Sequence, residues 1–217
     1  EAVFEKQLPR LKGRKAGQPI VRDEHAPLEQ TIDALRRLDG SYLFIQGPPG
    51  SGKTYTGSHV IAALLAEGKR VAVSSNSHKA INNLLRGVEE VLLKQGQRDV
   101  RAAKKCSRGD DSQRLKGQLV VDVDENEAAL SDHWQLVAGT AWLLARPEAD
   151  QQFDYLFVDE AGQVSLANLA AMGACARNIV LLGDQMQLGQ PIQGVHPGRS
   201  GESSLEYLLD GHATVPP

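Results

Sequence analysis

Residues 47–54, GPPGSGKT, directly follow the apolar run YLFIQ at 42–46, and this junction constrains the fold more than any other stretch. The spacing G-x-x-x-x-G-K-[ST] works only with a strand before it and a helix after it. Glycines let the backbone turn tightly enough for successive N–H groups to point inward as an anion nest. A helix starting near Lys53 adds about half a positive charge at its N-terminus. Gly47, Pro48, Pro49, Gly50, Ser51 and Gly52 are therefore expected to cradle a polyphosphate. Lys53 is placed to reach its terminal phosphates as a point charge, and Thr54 to offer a hydroxyl to Mg²⁺.

The hydrophobic pattern around this junction reads as an α/β fold with a parallel sheet. YLFIQ is continuously apolar, as expected where both faces of a sheet are covered. Comparable runs recur at 70–74 (RVAVS), 135–139 (QLVAG), 155–158 (YLFV) and 178–182 (NIVLL). Helical stretches fall at 53–67, 77–94 and 164–172, and before the first strand Leu28, Ile32, Leu35 and Leu38 share one helical face. Such alternation implies right-handed crossovers with helices on both faces of the sheet. The 217 residues have room for one such domain, over 26–217.

Two segments depart from the pattern. Residues 1–25, rich in Lys, Arg, Gly and Pro, read as a basic linker or edge segment. Residues 96–132 break the alternation and read as a short insertion. It carries seven basic residues against three acidic over 98–116, then five acidic and no basic residues over 122–132. Its basic half is either a solvated face or a path for nucleic acid.

Two polar turns end apolar strands. In FVDEAGQ, at 157–163, Asp159 and Glu160 stand side by side although like charges repel. The carboxyl ends of neighbouring parallel strands open onto one crevice, so Asp159 can serve Mg²⁺ through water. Glu160 can then orient or deprotonate the water that attacks a γ-phosphate. After NIVLL, the segment GDQMQL carries Asp184, Gln185 and Gln187 out at the same edge. A neutral amide is no base, but Gln187 can hydrogen-bond a γ-phosphate oxygen and register its presence; Asp184 joins the nucleotide-binding set.

Composition excludes several classes. A formal net charge of −3 argues against gripping nucleic acid through bulk positive charge, leaving only local basic stripes. Cys106 and Cys175 stand alone, without CxxC or a His at ligand spacing, so neither a zinc site nor a disulfide framework is expected. No apolar run reaches membrane-spanning length, and the expectation is a cytoplasmic protein without a membrane partner.

With GPPGSGKT, VDEAGQ and GDQMQL in this order, the chain resembles the first RecA-like motor domain of superfamily 1 helicases, in the group that moves 5′ to 3′. The resemblance covers roughly residues 26–210 and implies a RecA-like P-loop NTPase fold that uses ATP and Mg²⁺. It places Gln30, with sixteen residues between it and Gly47, at the family's adenine-reading glutamine. SSNSHKAINNLL at 74–85 is similar to motif Ia, which implies that Ser77 and His78 contact a nucleic-acid backbone. AGTAWLL at 138–144 is similar to motif Ic, which implies the same for Thr140. Asn82 stands where many relatives carry Asp, and Asn76 where the nonsense-mediated-decay type carries Pro.

His78 resembles the nuclease-helicases that process DNA flaps, which implies single-stranded DNA rather than RNA as partner and a fused or associated nuclease. ATP in this family binds between two RecA-like domains. A second RecA-like domain with arginine fingers is therefore expected in a longer chain, and these residues alone should hydrolyse ATP weakly. The competing readings are an RNA helicase motor, an ATP-controlled nucleic-acid clamp without net unwinding, and a small-molecule kinase, against which the two polar strand ends speak.

Overall fold

The computed structural model describes residues 2–15, 17–22, 25–48, 50–184, 200–210 and 212. The expectations for Pro49, Gln185 and Gln187 lie outside the described residues. In chain order the elements are α1 (Pro27–Arg36), β1 (Tyr42–Gln46), α2 (Lys53–Ala66), β2 (Val71–Ser74), α3 (His78–Lys94), β3 (Ala102–Lys105), β4 (Val120–Val123), α4 (Asn126–Ala129), β5 (Leu136–Ala138), α5 (Ala141–Leu144), β6 (Phe153–Val158), α6 (Leu166–Gly173), β7 (Ala176–Gly183) and α7 (Ser204–Leu209).

The strands form one seven-stranded sheet in the order β1-β7-β6-β2-β5-β3-β4, and every pairing is parallel. Successive strand residues point to opposite faces, and the two hydrophobic cores divide the sequence accordingly. Val71, Val73, Tyr155, Phe157, Val180 and Leu182 pack with Leu35, Ile61 and Leu84 of α1, α2 and α3. Ala72, Val137, Leu156, Val158 and Leu181 pack with Leu143, Leu169 and Leu205 of α5, α6 and α7. Continuous apolar runs were needed because each strand feeds both cores at once. Gly57 brings α2 close against β7: a Cβ there would meet Leu182 Cδ1 at 2.8 Å. The Tyr155 hydroxyl ties α1 to the sheet by donating to the Leu35 carbonyl at 2.7 Å, and burial pushes its pKa up to about 12.

The segment expected as an insertion does interrupt the strand–helix alternation, yet it is part of the sheet. Its β3 pairs with β5, and β4 closes the far edge. Periodicity missed these strands because they are four residues long and partly polar, AAKK and VVDV. Two basic residues of the first block pair with the acidic block across the fold. Arg114 bonds Asp124 at 2.6 Å, and Arg108 bonds Glu125 at 2.5 Å. Lys104 is fully buried, donating to the Gln113 carbonyl and lying 3.3 Å from both Cys106 Sγ and His78 Nδ1. The reading of the basic half as a nucleic-acid path is therefore set aside, because much of that charge is spent inside the segment.

The N-terminal segment is likewise more than a linker. Ala2 and Val3 are buried, Lys6 pairs with Asp210 at 3.0 Å, and Leu11 bridges to Leu38. It packs along the β1 side of the body.

One carboxylate fastens β4 to the helical layer. Glu89, buried on α3, accepts the backbone N–H groups of Leu119 and Val120 at 2.7 and 2.8 Å. Glu89→Ala would strand two buried donors and is expected to destabilise by about 2–4 kcal/mol, a fall of roughly 5–15 °C in thermal midpoint for a chain of this size. Glu89→Gln, which keeps one acceptor, should lose markedly less; circular-dichroism melts of both variants check this.

Candidate nucleotide and nucleic-acid site

Because the strands are parallel, the turns after β1, β7, β6, β2 and β5 all leave from the carboxyl edge of the sheet. The turn after β1 begins where the Gly47 N–H donates to the Gly183 carbonyl of β7 at 3.2 Å. It ends at Gly52, the residue before α2, whose φ of +86° lies in the left-handed region that glycine adopts without strain. At Gly47 a Cβ would meet Ser51 Oγ at 2.3 Å. The Ser51 side chain thus packs directly on the Gly47 backbone and leaves no room for a side chain there. Lys53 folds over it, donating to the carbonyls of Gly47 and of Pro48, the latter at 2.7 Å. Thr54 is exposed in the first turn of α2, which carries no acidic residue to oppose an anion.

At the end of β6, Asp159 is only 8% exposed. Its N–H donates to the Ser74 carbonyl of β2 at 2.9 Å, and its Oδ1 accepts the Glu160 N–H at 2.9 Å. Burial pushes the carboxyl up to about 6; Glu160 adds to the rise, while its N–H and Lys53 oppose it. A buried carboxyl in this condition gains by meeting a cation. Glu160 follows with φ 51° and ψ 42°, a left-handed backbone that costs a non-glycine residue of order 1–3 kcal/mol and persists only where its surroundings hold it. They do so through α7: the Ser204 hydroxyl donates to the Ala161 carbonyl at 2.7 Å. Asp184, buried at the end of β7, has its carbonyl beside Gly162, where a Cβ would lie 3.1 Å away.

The donor set fits a magnesium–nucleotide pair. Among the described residues no three His, Cys, Asp or Glu side chains converge as a metal cage. A hard cation held here would use few protein oxygens, Thr54 and Asp159, and complete its shell with phosphate and water, as Mg²⁺ does. The hydroxyls of Ser74 and Ser75 are buried beside Asp159 without hydrogen-bond partners among the described residues, and neither stood out in the sequence because serines at strand ends are common.

The turn after β2 is wired to the carboxylate turn. Asn76 donates its side-chain N–H to the Gln163 carbonyl, a side-chain link between the two segments beside the Asp159 N–H to Ser74 carbonyl bond. Ser77 caps α3, accepting the Ala80 N–H at 3.1 Å. His78 is half-buried; burial and the neighbouring Lys104 both lower its pKa, with Asp110 opposing them. Thr140 precedes α5 without capping it by its side chain. Gln30 lies on α1, where its amide accepts the Arg22 N–H at 2.7 Å and donates to the Ala26 carbonyl at 3.0 Å. The structure thus gathers Gly47, Lys53, Asp159, Asp184 and the 75–78 turn at one edge, while Gln30 is anchored in the helix that leads into β1. No helix among the described residues is long and apolar enough to cross a membrane.

Residues 29–200 match the AAA domain family. The chain is 26% identical over 205 residues to the DNA replication ATP-dependent helicase/nuclease DNA2 of Saccharomyces cerevisiae, covering 84% of this chain and 13% of that protein. It is 29% identical over 187 residues to the DNA replication ATP-dependent helicase/nuclease JHS1 of Arabidopsis thaliana, covering 79% and 13%. With DNA2 of Homo sapiens the identity is 30% over 174 residues, covering 78% and 16%. The chain therefore spans between about an eighth and a sixth of these relatives' length. Among solved structures, it is similar to the DUF1998 helicase MrfA bound to DNA, with TM-score 0.45, 15% identity and coverage of 73% and 24%. It is also similar to the UvsW helicase from bacteriophage T4, with TM-score 0.43, 13% identity and coverage of 83% and 58%. By the match over 29–200, which exceeds half its length, the chain belongs to the AAA domain family.

Proposed function

We propose that this chain is the ATP-binding motor domain of a DNA helicase that hydrolyses ATP to move 5′ to 3′ on single-stranded DNA. The observation that carries the proposal is the shared sheet edge. There the glycine-rich turn after β1, a buried carboxylate and a left-handed Glu160 stand next to a second turn tied to them by Asn76. A small-molecule kinase would have no use for that tie. The relatives named as helicase/nucleases support DNA as the track and a nuclease as a fused or associated partner.

In this reading Lys53 exchanges its contacts with the Gly47 and Pro48 carbonyls for phosphate oxygens. Gly47 to Thr54 supply the nest and the first turn of α2, Asp184 borders it, and Gln30 reads the adenine from α1. Mg²⁺, when bound through Thr54 and Asp159, supplies charge neutralisation across the terminal phosphates. Glu160 is held by its backbone in an orientation that a relaxed chain would not adopt, so its carboxylate is positioned to take a proton from water. Gln187 registers the γ-phosphate. Hydrolysis changes the strain on the 159–163 turn, and Asn76 passes that change to Ser77 and His78, with Thr140 holding the strand beside them. A second RecA-like domain would complete the site with the arginine that this arrangement lacks among the described residues.

In the full-length protein Lys53→Ala should abolish ATP binding. Glu160→Gln should leave binding intact and remove turnover; equal loss of binding in both, by fluorescent-nucleotide titration, would refute the division of roles. Asp159→Asn should eliminate the Mg²⁺-dependent thermal stabilisation by ATP, without lowering the melting point of the metal-free protein, because a buried charge has been removed. Asn76→Ala should reduce the stimulation of ATPase activity by single-stranded DNA by roughly 2- to 30-fold, with little change in nucleotide affinity. Unaltered stimulation would show that the hydrogen bond carries no coupling. Unwinding of 5′-tailed but not 3′-tailed duplexes by the wild type separates a motor from a clamp.

A further inference from the structure

Trp142 is 90% exposed. It sits on α5 between Ala141, which packs against the core, and the buried Leu143 and Leu144, so an anchored backbone holds the indole out in solvent. The chain's other tryptophan sets the contrast. Trp134 packs against the same core and donates its indole N–H to the Ala128 carbonyl at 2.7 Å. The Trp142 N–H has no hydrogen-bond partner among the described residues. A tryptophan is the largest apolar side chain, and a fixed, uncovered one is informative where a loose exposed leucine is not.

Its surroundings give the chemistry of what would cover it. Val73 of β2 pairs with Ala138 of β5 in register, and paired strands lie about 4.8 Å apart. The turns at 75–78 and 139–142 therefore emerge side by side at the carboxyl edge. Lys79, in the first turn of α3, is exposed and makes no ion pair among the described residues. The Thr140 hydroxyl is not used to cap α5. A protein hot spot would be ringed by further apolar groups. The other large exposed apolar residues among those described, Val21, Tyr55 and Val121, lie on other elements. One unpaired cation, one unspent hydroxyl and one flat aromatic face are the components that hold a single strand: the first two meet the phosphate backbone and the third stacks a base.

We propose that Trp142 is a base-stacking platform on the nucleic-acid track, seating one nucleotide of a single strand that crosses the 75–79 and 139–142 turns. This rests on the nucleic-acid reading of that edge and adds to it a contact with the base. The stacked position should accept any base, because every base offers a π face, and should favour purines.

The test uses the full-length protein and fluorescein-labelled single-stranded DNA. Trp142→Ala should weaken binding by about 5- to 150-fold, and Trp142→Phe should restore most of it, with melting curves confirming that both variants fold. Moving a single abasic nucleotide along the strand should expose one position at which the wild type loses affinity and Trp142→Ala does not. If the wild type binds and Trp142→Ala matches it within twofold, with the same abasic profile, the stacking role is overturned while the motor reading stands. If the wild type binds no single strand, both fall. Unchanged DNA affinity with reduced self-association in ultracentrifugation would assign the indole to a protein interface and overturn the proposal.

Discussion

Parallel pairing of β1, β7, β6 and β2 is the constraint on which the rest depends, because it sends the turn after each strand out from the same edge. Residues more than a hundred positions apart, such as Gly47 and Gly183, thereby come within hydrogen-bonding distance. An antiparallel meander would alternate these turns between two edges and scatter the same motifs. The register also fixes which turns are neighbours: the 159–163 turn lies beside the 75–78 turn because β6 pairs with β2, and the 139–142 turn follows because β2 pairs with β5.

The site is built from groups that the isolated domain accommodates at a cost. Asp159 is buried with its carboxyl raised to about 6, Glu160 has a left-handed backbone, and Ser74 and Ser75 keep hydroxyls unsatisfied. Away from that edge, Glu89 holds two N–H donors, and the Asn178 side chain bridges the Ser41 N–H and the Asp154 carbonyl. Left-handed non-glycine backbones also occur at Lys6, Lys116, Gln151 and Asp210; what sets this edge apart is that Glu160 adjoins a buried carboxyl and two unpartnered hydroxyls.

How far the chain could be read in advance varies by segment for physical reasons. β1, β2, β5, β6 and β7 were legible because burial on two faces demands uninterrupted apolar residues. β3 and β4 were not. Lys104 of β3 is buried only because the Gln113 carbonyl and His78, distant in sequence, come to meet it. The opposite charge blocks of 98–116 and 122–132 looked like surface features until the fold paired Arg108 and Arg114 with Glu125 and Asp124. Ala2 and Val3 gave no periodic signal, since two apolar residues in a basic stretch acquire meaning only from the surface they cover.

The local chemistry was determined by the sequence itself. A phosphate turn needs glycines and a lysine at fixed short spacing, so GPPGSGKT carries its geometry within eight residues. Adjacent carboxylates after an apolar run likewise announce a strand end with work to do. Only the tertiary structure decided which segments touch. It alone showed that Asn76 joins the two functional turns, that Ser204 pins the backbone behind Glu160, and that Trp142 remains in solvent while Trp134 does not. The Asn76 and Ser204 contacts join residues separated by tens of positions, and the exposure of each indole depends on what packs over it, which no local pattern encodes.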